Sequence, residues 1–269
     1  MRLSGLADKL AAVLWRDLLT AVRYRSGFLI TAAGAAVELA AFYYLARAVG
    51  PQFRPGGMDY FPFLLVGTGF YTFFVMVLHS FLQVVQEAQR NGTIEILMTT
   101  STPAPVLILL SAVSALFGSV AQFVLYVLAG LALSHMPLPP PNAAGCMAVF
   151  ALSLVIAAAM GFLAASLQLA MQKGSAVVWL FGSAAWLATG TLFPAAELPR
   201  PLRLLSEAIP LTHSLNGMRL ALLEGAGWAA LGREIAILAF FALILLPLGL
   251  LCFSYTLRQA RREGTLSFY

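Results

Sequence analysis

The chain has 269 residues, of which 61% are hydrophobic and 10% are charged. Soluble domains are about 45–50% apolar and about 25% charged, so this composition excludes a soluble globular domain and predicts an all-α integral membrane protein. In a membrane protein, a net charge of +5 reflects basic residues that set the orientation of the chain in the membrane and contact anionic lipid headgroups. A nucleic-acid partner is not expected, because no basic run stands apart from the apolar segments.

Residues 1–25 predict one amphipathic helix at the membrane surface. Leucines recur at steps of three and four residues, while Lys9, Arg16 and Arg23 fall seven apart on the opposite face. Trp15 lies near the border between the two faces, where an indole prefers the membrane interface. A basic amphipathic helix of this type lies in the headgroup plane. The alternative is a helix packed on a soluble domain.

Six apolar stretches follow and predict a single six-helix transmembrane domain over residues 26–269. A run of 19 residues spans roughly 28 Å as a helix, which is enough to cross the hydrocarbon core. Pro247, in the last stretch, predicts a kink rather than a helix end. The predicted spans are 28–46, 60–85, 106–133, 143–169, 176–193 and 235–257.

The distribution of basic residues predicts the orientation. With the N-terminus inside, ten of the 16 Lys and Arg residues lie on the inner side and six on the outer side. Positive residues concentrate on the cytoplasmic side of membrane proteins. Both termini are therefore predicted to be cytoplasmic.

Sequence signatures of catalysis and metal binding are missing. The chain has no G-x-x-x-x-G-K-[ST] loop, no H-E-x-x-H pair and no G-x-S-x-G elbow. Cys146 and Cys252 lie in apolar stretches and are interpreted as small packing residues. We therefore expect no catalytic residue and no metal site, and any ATP hydrolysis would take place on a partner.

The segment 86–103 combines turn, cap and helix signals. Asn91-Gly92 ends the preceding helix, Thr93 can cap a short helix, and Glu95 lies near its positive end. Pro103 limits that helix to roughly two turns. An exposed apolar face on such a helix contacts either a partner protein, or the membrane and the helix's own bundle. The spacing of the apolar residues favours neither alternative. The apolar face consists of Ile94, Leu97 and Met98.

This segment, with Gly92-Thr93-Ile94-Glu95 at its centre, resembles the coupling-helix region of permeases of the type-2 ATP-binding-cassette exporter family. Two further stretches are similar to the outer segment and the C-terminus of such permeases. The outer segment is matched by Leu192-Phe193-Pro194, Glu197-Leu198-Pro199, Ile209-Pro210-Leu211-Thr212-His213 and Arg219. The C-terminus is matched by Arg261-Arg262-Glu263-Gly264-Thr265-Leu266. With the amphipathic N-terminal helix and six spans, the resemblance covers nearly the whole chain.

The resemblance implies a permease that pairs with a second copy or a paralogue and with two P-loop ATPase subunits, which bind ATP and Mg. It implies outward movement of an amphipathic substrate (a drug, lipid, lipo-oligosaccharide or polysaccharide) across a bacterial inner membrane. It also implies that eight residues contact the ATPase, namely Glu87, Arg90, Gly92, Thr93, Ile94, Glu95, Leu97 and Met98.

The resemblance further implies that residues 195–224 form two short helices that re-enter the outer leaflet. Prolines divide this segment into short pieces. Broken helices at membrane depth are tolerated only inside protein or beside a cavity, and the alternative is a surface loop. The residues marking the segment are Pro194, Pro199, Pro210, His213 and Arg219.

Glu38 lies in the middle of the first span, where a carboxylate is costly unless it faces protein or water. It is either a pathway or dimer-interface residue, or a carboxyl group satisfied by a neighbouring helix. Phe70, Phe73 and Phe74 either contact substrate or pack the bundle. A secondary transporter is the rival hypothesis, but it would show inverted repeats and several intramembrane carboxylates.

Overall fold

The computed structural model describes residues 25–92, 104–134, 139–171 and 173–263. These ranges contain helices and connecting turns, with no strand among the described residues. The helices are α1 (Arg25–Val49), α2 (Tyr60–Arg90), α3 (Ala104–Ser134), α4 (Ala143–Met171), α5 (Gly174–Ala188), α6 (Arg200–Glu207), α7 (Pro210–Leu222) and α8 (Trp228–Glu263). The predicted interfacial helix, with Lys9, Trp15, Arg16 and Arg23, lies outside the described residues.

Five helices of the described ranges are long and apolar enough to cross a membrane. The chain is therefore a multi-pass membrane protein. α5 has 15 residues, or about 22 Å of helix, which is shorter than the roughly 30 Å hydrocarbon core. The candidate spans are Leu29–Val49, Tyr60–Arg90, Leu116–Ser134, Ala143–Met171 and Trp228–Ala260.

The fifth apolar stretch is the one where the helix ends before the predicted span does, whereas the other five predicted spans lie within α1 to α4 and α8. The sequence predicts a span over 176–193, whereas α5 ends at Ala188. Thr189 caps it by donating both its backbone N–H and its hydroxyl to the Ala185 carbonyl. Gly190 then takes a positive φ of 82°, which a helix does not allow, so the apolar residues up to 193 continue outside the helix. By contrast, Pro247 lies inside α8 without ending it.

α2 forms the centre of the bundle and packs against α3, α4 and α7. Of its span, 78% is buried, compared with 6% for α1. The rings of Phe70, Phe73, Phe123 and Phe150 pack at its middle with centroids 4.7–6.2 Å apart. Because lipid is as apolar as these rings, tight packing and not water exclusion holds such helices together. The bundle therefore has a densely packed centre, and α1 lies at its edge with most of its surface exposed.

Candidate functional site

The C-terminal end of α2 carries the first of the predicted coupling residues. Glu87, Arg90 and Gly92 are all exposed there. The helix ends as the Asn91 N–H donates to the Glu87 carbonyl at 2.9 Å, and Gly92 takes a positive φ of 65°. The other predicted coupling residues, Thr93, Ile94, Glu95, Leu97 and Met98, lie outside the described residues.

A partly buried network of three side-chain amides and one serine hydroxyl fixes this end of α2. Gln86 Nε2 donates to Ser175 Oγ at 2.7 Å and to Gln168 Oε1 at 3.3 Å. Gln168 Nε2 in turn donates to Gln89 Oε1 at 3.4 Å, and its Oε1 accepts the Gly174 N–H at 3.0 Å. Gln89 and Gln168 are almost fully buried. We call these four side chains the amide network; it ties the last turn of α2 to the turn between α4 and α5.

The opposite end of α2 packs against the segment after α5. Pro194 precedes a short 3₁₀ turn at Ala195–Glu197, and Pro199 precedes α6. Pro210 is the first residue of α7, a position where its missing N–H and fixed φ suit a helix start. α6 exposes Leu202, Leu204 and Leu205, whereas ten of the 13 residues of α7 are buried. α7 is therefore enclosed by protein, chiefly by α4, α8 and α2, whereas α6 lies at the surface.

Arg219 lies at the centre of this enclosed region. Its Nη2 donates to the carbonyl oxygens of Phe63 at 3.1 Å and Thr191 at 3.2 Å. The guanidinium lies 3.5 Å from the centroid of the Phe63 ring, in cation–π contact. The guanidinium stays charged at neutral pH, because arginine keeps its proton even when it is buried. One cation thus joins α7, the start of α2 and the chain after α5, with its Nε unpaired among the described residues.

Gly67 makes this contact sterically feasible. A Cβ at this position of α2 would overlap the Thr191 carbonyl oxygen and the Arg219 guanidinium. Only a residue without a side chain lets both groups approach the helix backbone. We refer to Gly67, Thr191, Phe63 and Arg219 as the arginine clamp.

His213 joins three helices on the other side of α7. Its Nδ1 lies 2.7 Å from Glu234 Oε2 on α8, and its Nε2 lies 3.0 Å from the carbonyl oxygen of Glu207. Both ring nitrogens face acceptors, and only the imidazolium can donate to both. The bond to Glu234 raises the pKa of His213 above its usual value, which favours an ion pair. The two motif residues His213 and Arg219 therefore share a buried helix and hold the segment in place.

A cleft of about 250 Å³ separates α1 from α2 and α3. Glu38 lines it from α1, half-buried, and Phe73 lines it from α2. Phe70 and Phe74 are fully enclosed in the core, so they pack the bundle and do not line the cleft. The remaining polar lining residues are Thr31, Thr72, Ser119, Gln122 and Tyr126.

A chain of hydrogen bonds runs from Glu38 into the bundle. The Glu38 carboxyl group bonds to the Tyr126 hydroxyl. That hydroxyl lies 3.1 Å from Thr68 Oγ1, which donates to the Leu64 carbonyl at 2.9 Å. A Cβ at Gly69 would lie 2.9 Å from the Tyr126 ring, so the absence of a side chain at this position allows the ring to pack against α2. The sequence pattern identified Glu38 but gave no signal for the tyrosine, which lies on a distant helix.

In the described part of the chain, no group of three or more His, Cys, Asp or Glu side chains comes together. A comparison with curated proteins gives no match. A protein family described as "ABC-2 family transporter protein" matches residues 50–251, which is more than half of the chain. The match includes α2 to α7, the amide network and the arginine clamp. The chain therefore belongs to the ABC-2 transporter family, as an ABC-2 type permease subunit.

Proposed function

We propose that this chain is the permease of an ATP-driven exporter, which moves an amphipathic substrate outward across a bacterial inner membrane. ATP and Mg²⁺ would be bound by P-loop ATPase subunits, two per complex. Family membership supports a permease that works with ATP-binding-cassette partners. The observation that carries the proposal is the amide network, which fixes α2 at the residues directly before the predicted coupling helix.

α2 offers a direct mechanical link between the two ends of the permease. Its 31 residues form one continuous helix, about 46 Å long at 1.5 Å per residue. The amide network holds one end, and the arginine clamp attaches α7 to the other end through the Phe63 carbonyl. A push by the ATPase on residues 87–98 would therefore move α2 as a rigid rod. Its far end would carry α7 and the α6–α7 segment with it.

The proposed topology has six crossings with both termini in the cytoplasm. α5 together with the apolar residues up to 193 would make the fifth crossing. α6 and α7 would re-enter the outer leaflet between spans five and six. Two features support this placement: α7 is buried in protein, as a broken helix at membrane depth requires, and α6 presents exposed leucines.

A complete exporter of this type would contain a second permease, either the same chain or a paralogue. α1, α5 and α8 expose large apolar side chains, which supply surface for lipid and for a second permease. Examples are Ile30 and Val37 on α1, Trp179 and Leu180 on α5, and Leu243 and Leu251 on α8.

The rival function, a proton-coupled secondary transporter, has one observation in its favour. Glu38 is an intramembrane carboxyl group beside a cleft, which is typical of ion-coupled carriers. Inside-out vesicles separate the two functions. ATP-dependent uptake that resists a protonophore supports the exporter, whereas uptake that follows the proton gradient without ATP supports the rival.

The same vesicles test the coupling segment. One labelled member of each substrate class serves as probe, because the substrate class is part of the proposal. We expect Glu95→Arg to abolish ATP-dependent uptake while the ATPase still hydrolyses ATP. Glu224→Arg makes the same charge reversal at an exposed position near the arginine-clamp end, and we expect it to leave uptake unchanged. Normal uptake by Glu95→Arg would contradict the proposed contact.

A further inference from the structure

The cleft beside α1 brings several polar side chains to an otherwise apolar surface. On α1, Thr31, Gly34, Ala35 and Glu38 follow one another at steps of three, one and three residues and therefore share one face. A Cβ at Gly34 would have nothing within 4 Å, so the glycine leaves space beside Glu38. Neighbouring α1 residues such as Leu29 and Ile30 are exposed, which in a membrane places lipid at the mouth of the cleft.

The described lining of the cleft has one acidic side chain and no basic one. Glu38 and Tyr126 are its titratable residues, and no Lys, Arg or His belongs to the described lining. An ionised carboxylate at this depth is costly unless a cation or hydrogen-bond donors compensate it. Tyr126 supplies its hydroxyl and the described lining supplies no cation, so a positively charged guest is complementary to the ionised carboxylate.

Counting hydrogens along the chain of hydroxyls gives two arrangements. When Thr68 donates to the Leu64 carbonyl, Tyr126 must donate to Thr68, and Glu38 can then bond to Tyr126 only as a protonated acid. When Glu38 is ionised, Tyr126 donates to it, and Thr68 turns its hydrogen toward Tyr126. The Leu64 carbonyl keeps its helical bond in either case. The same three side chains therefore accommodate both states of Glu38.

The walls of the cleft differ in polarity. Phe73, Met76 and Phe123 form an apolar wall, and Glu38, Thr72 and Gln122 provide polar groups. Pockets that enclose drug-sized ligands measure about 300–1,000 Å³, which is more than the 250 Å³ of this cleft. The volume suits a head group with the first part of one chain, while the remaining chain stays in lipid.

We propose that the cleft binds the protonated amine head group of a single-chain amphiphile, which enters from the lipid and displaces the proton of Glu38. Glu38–COOH and R–NH₃⁺ become the ion pair Glu38–COO⁻···⁺H₃N–R, and one proton leaves to water. The hydrogen-bond chain through Tyr126 and Thr68 reverses its direction as this happens. The inference rests on the proposed function, because it names the substrate class that an exporter of amphiphiles would admit here.

The test uses the full chain in nanodiscs of zwitterionic lipid, with empty nanodiscs as the correction for partitioning. The probe is radiolabelled decylamine, and decyltrimethylammonium, decanol and decanoate are the competitors. We expect saturable binding of decylamine, competition in that order of decreasing strength, and release of about one proton per bound amine. Calorimetry in two buffers of different ionisation heat measures the proton.

Glu38→Gln keeps the size of the side chain and removes its charge, so we expect affinity to fall about tenfold or more and proton release to vanish. Glu224→Gln makes the same change at an exposed carboxylate outside the cleft and is expected to bind like the unaltered chain. Gly34→Leu fills the cleft without altering Glu38, and we expect it to block binding too. This second variant keeps the test decisive if Glu38→Gln fails to fold.

Three results would overturn the inference: equal affinity of Glu38→Gln and the unaltered chain, tighter binding of decanol or decanoate than of decylamine, or no saturable binding. The exporter proposal is decided by a separate experiment, in which the permease is cross-linked in native membranes and purified to see whether an ATPase is recovered with it. An ATPase without amine binding would refute the cleft alone. Amine binding without an ATPase would refute the exporter alone.

Discussion

Arg219 on α7 and Glu38 on α1 are both ionisable side chains on apolar helices, yet their surroundings are opposite. Arg219 is 2% exposed, with two carbonyl oxygens and an aromatic face around its guanidinium. Glu38 is half-buried at the edge of a cleft, where it bonds to the Tyr126 hydroxyl. The first charge is enclosed by the protein's own groups, and the second leaves space for a guest.

The difference separates structure from function within one molecule. A buried charge that its own chain satisfies holds helices together, and its removal leaves the partners unpaired. A half-buried charge beside a cavity adds little to folding, and its removal changes what can bind. We therefore expect substitutions in the arginine clamp to affect stability and substitutions in the cleft to affect ligands.

The largest effect on stability is expected from Arg219→Met. It leaves the Thr191 carbonyl buried without a donor and removes the contact with Phe63, so the free energy of unfolding should fall by about 3 kcal/mol. Glu38→Gln should change it by less than about 0.5 kcal/mol. Thermal unfolding in detergent, followed by tryptophan fluorescence, measures both. Equal losses of unfolding free energy in Arg219→Met and Glu38→Gln would contradict the assignment of a structural role to Arg219 and a binding role to Glu38.

Gly67→Ala should cost about 1–3 kcal/mol, because the new methyl group would displace the Thr191 carbonyl and the Arg219 guanidinium. Gly118→Ala is the matched control: this helical glycine has nothing within 4 Å of an added Cβ. Alanine there should leave stability unchanged or raise it by up to about 1 kcal/mol. The same thermal assay applies, and similar melting temperatures for the two variants would mean that Gly67 is not needed for the clamp.

Gln168→Leu tests the opposite end of α2. It leaves the Gly174 N–H and the Gln89 amide without their partner, at an expected cost of about 1–2 kcal/mol. It should also weaken coupling, so that ATP hydrolysis continues with less transport. Gln83→Leu alters an exposed glutamine on the same helix and should affect neither property. Full transport by Gln168→Leu would show that the amide network has no part in coupling.

The smallest effect is expected from the pH dependence of the His213–Glu234 pair. Glu234 raises the pKa of folded His213, so the stability that the ion pair contributes is fully present below the unfolded pKa of about 6.5. It is lost as the pH rises through the higher folded pKa, with a slope of at most about 1.4 kcal/mol per pH unit. Glu234→Gln should remove most of this slope. Unfolding measured between pH 6 and 9 in both proteins checks the sign.

The long apolar runs were enough to predict the main helices, because a helix in lipid must satisfy its backbone internally. The end of α5 was not predictable from hydropathy, since Leu192 and Phe193 prolong the apolar stretch but Gly190 and the Thr189 cap turn the chain before them. Boundaries of this kind depend on a few dihedral angles and not on composition.

Site residues were predictable where a local sequence pattern marked them. They were not predictable where the site is formed by helices that are far apart in the sequence. Arg219 and His213 belong to a recognisable segment, but their partners Phe63 and Glu234 carry no local signal. Tyr126 and Thr68 are 58 residues apart and meet only because Gly69 lets α3 approach α2. In the sequence, Gln86 and Gln89 are ordinary polar residues near a helix end. Only the structure shows that Gln168, on another helix, hydrogen-bonds to both of them.

Cross-linking in intact native membranes, followed by affinity purification of the permease, tests ATPase coupling most directly. We expect a soluble ATPase with a P-loop to be recovered with the unaltered chain and with Glu224→Arg, and to be lost with Glu95→Arg. Recovery that Glu95→Arg leaves unchanged would contradict the coupling segment. Failure to capture any ATPase would contradict the exporter itself and favour the secondary transporter.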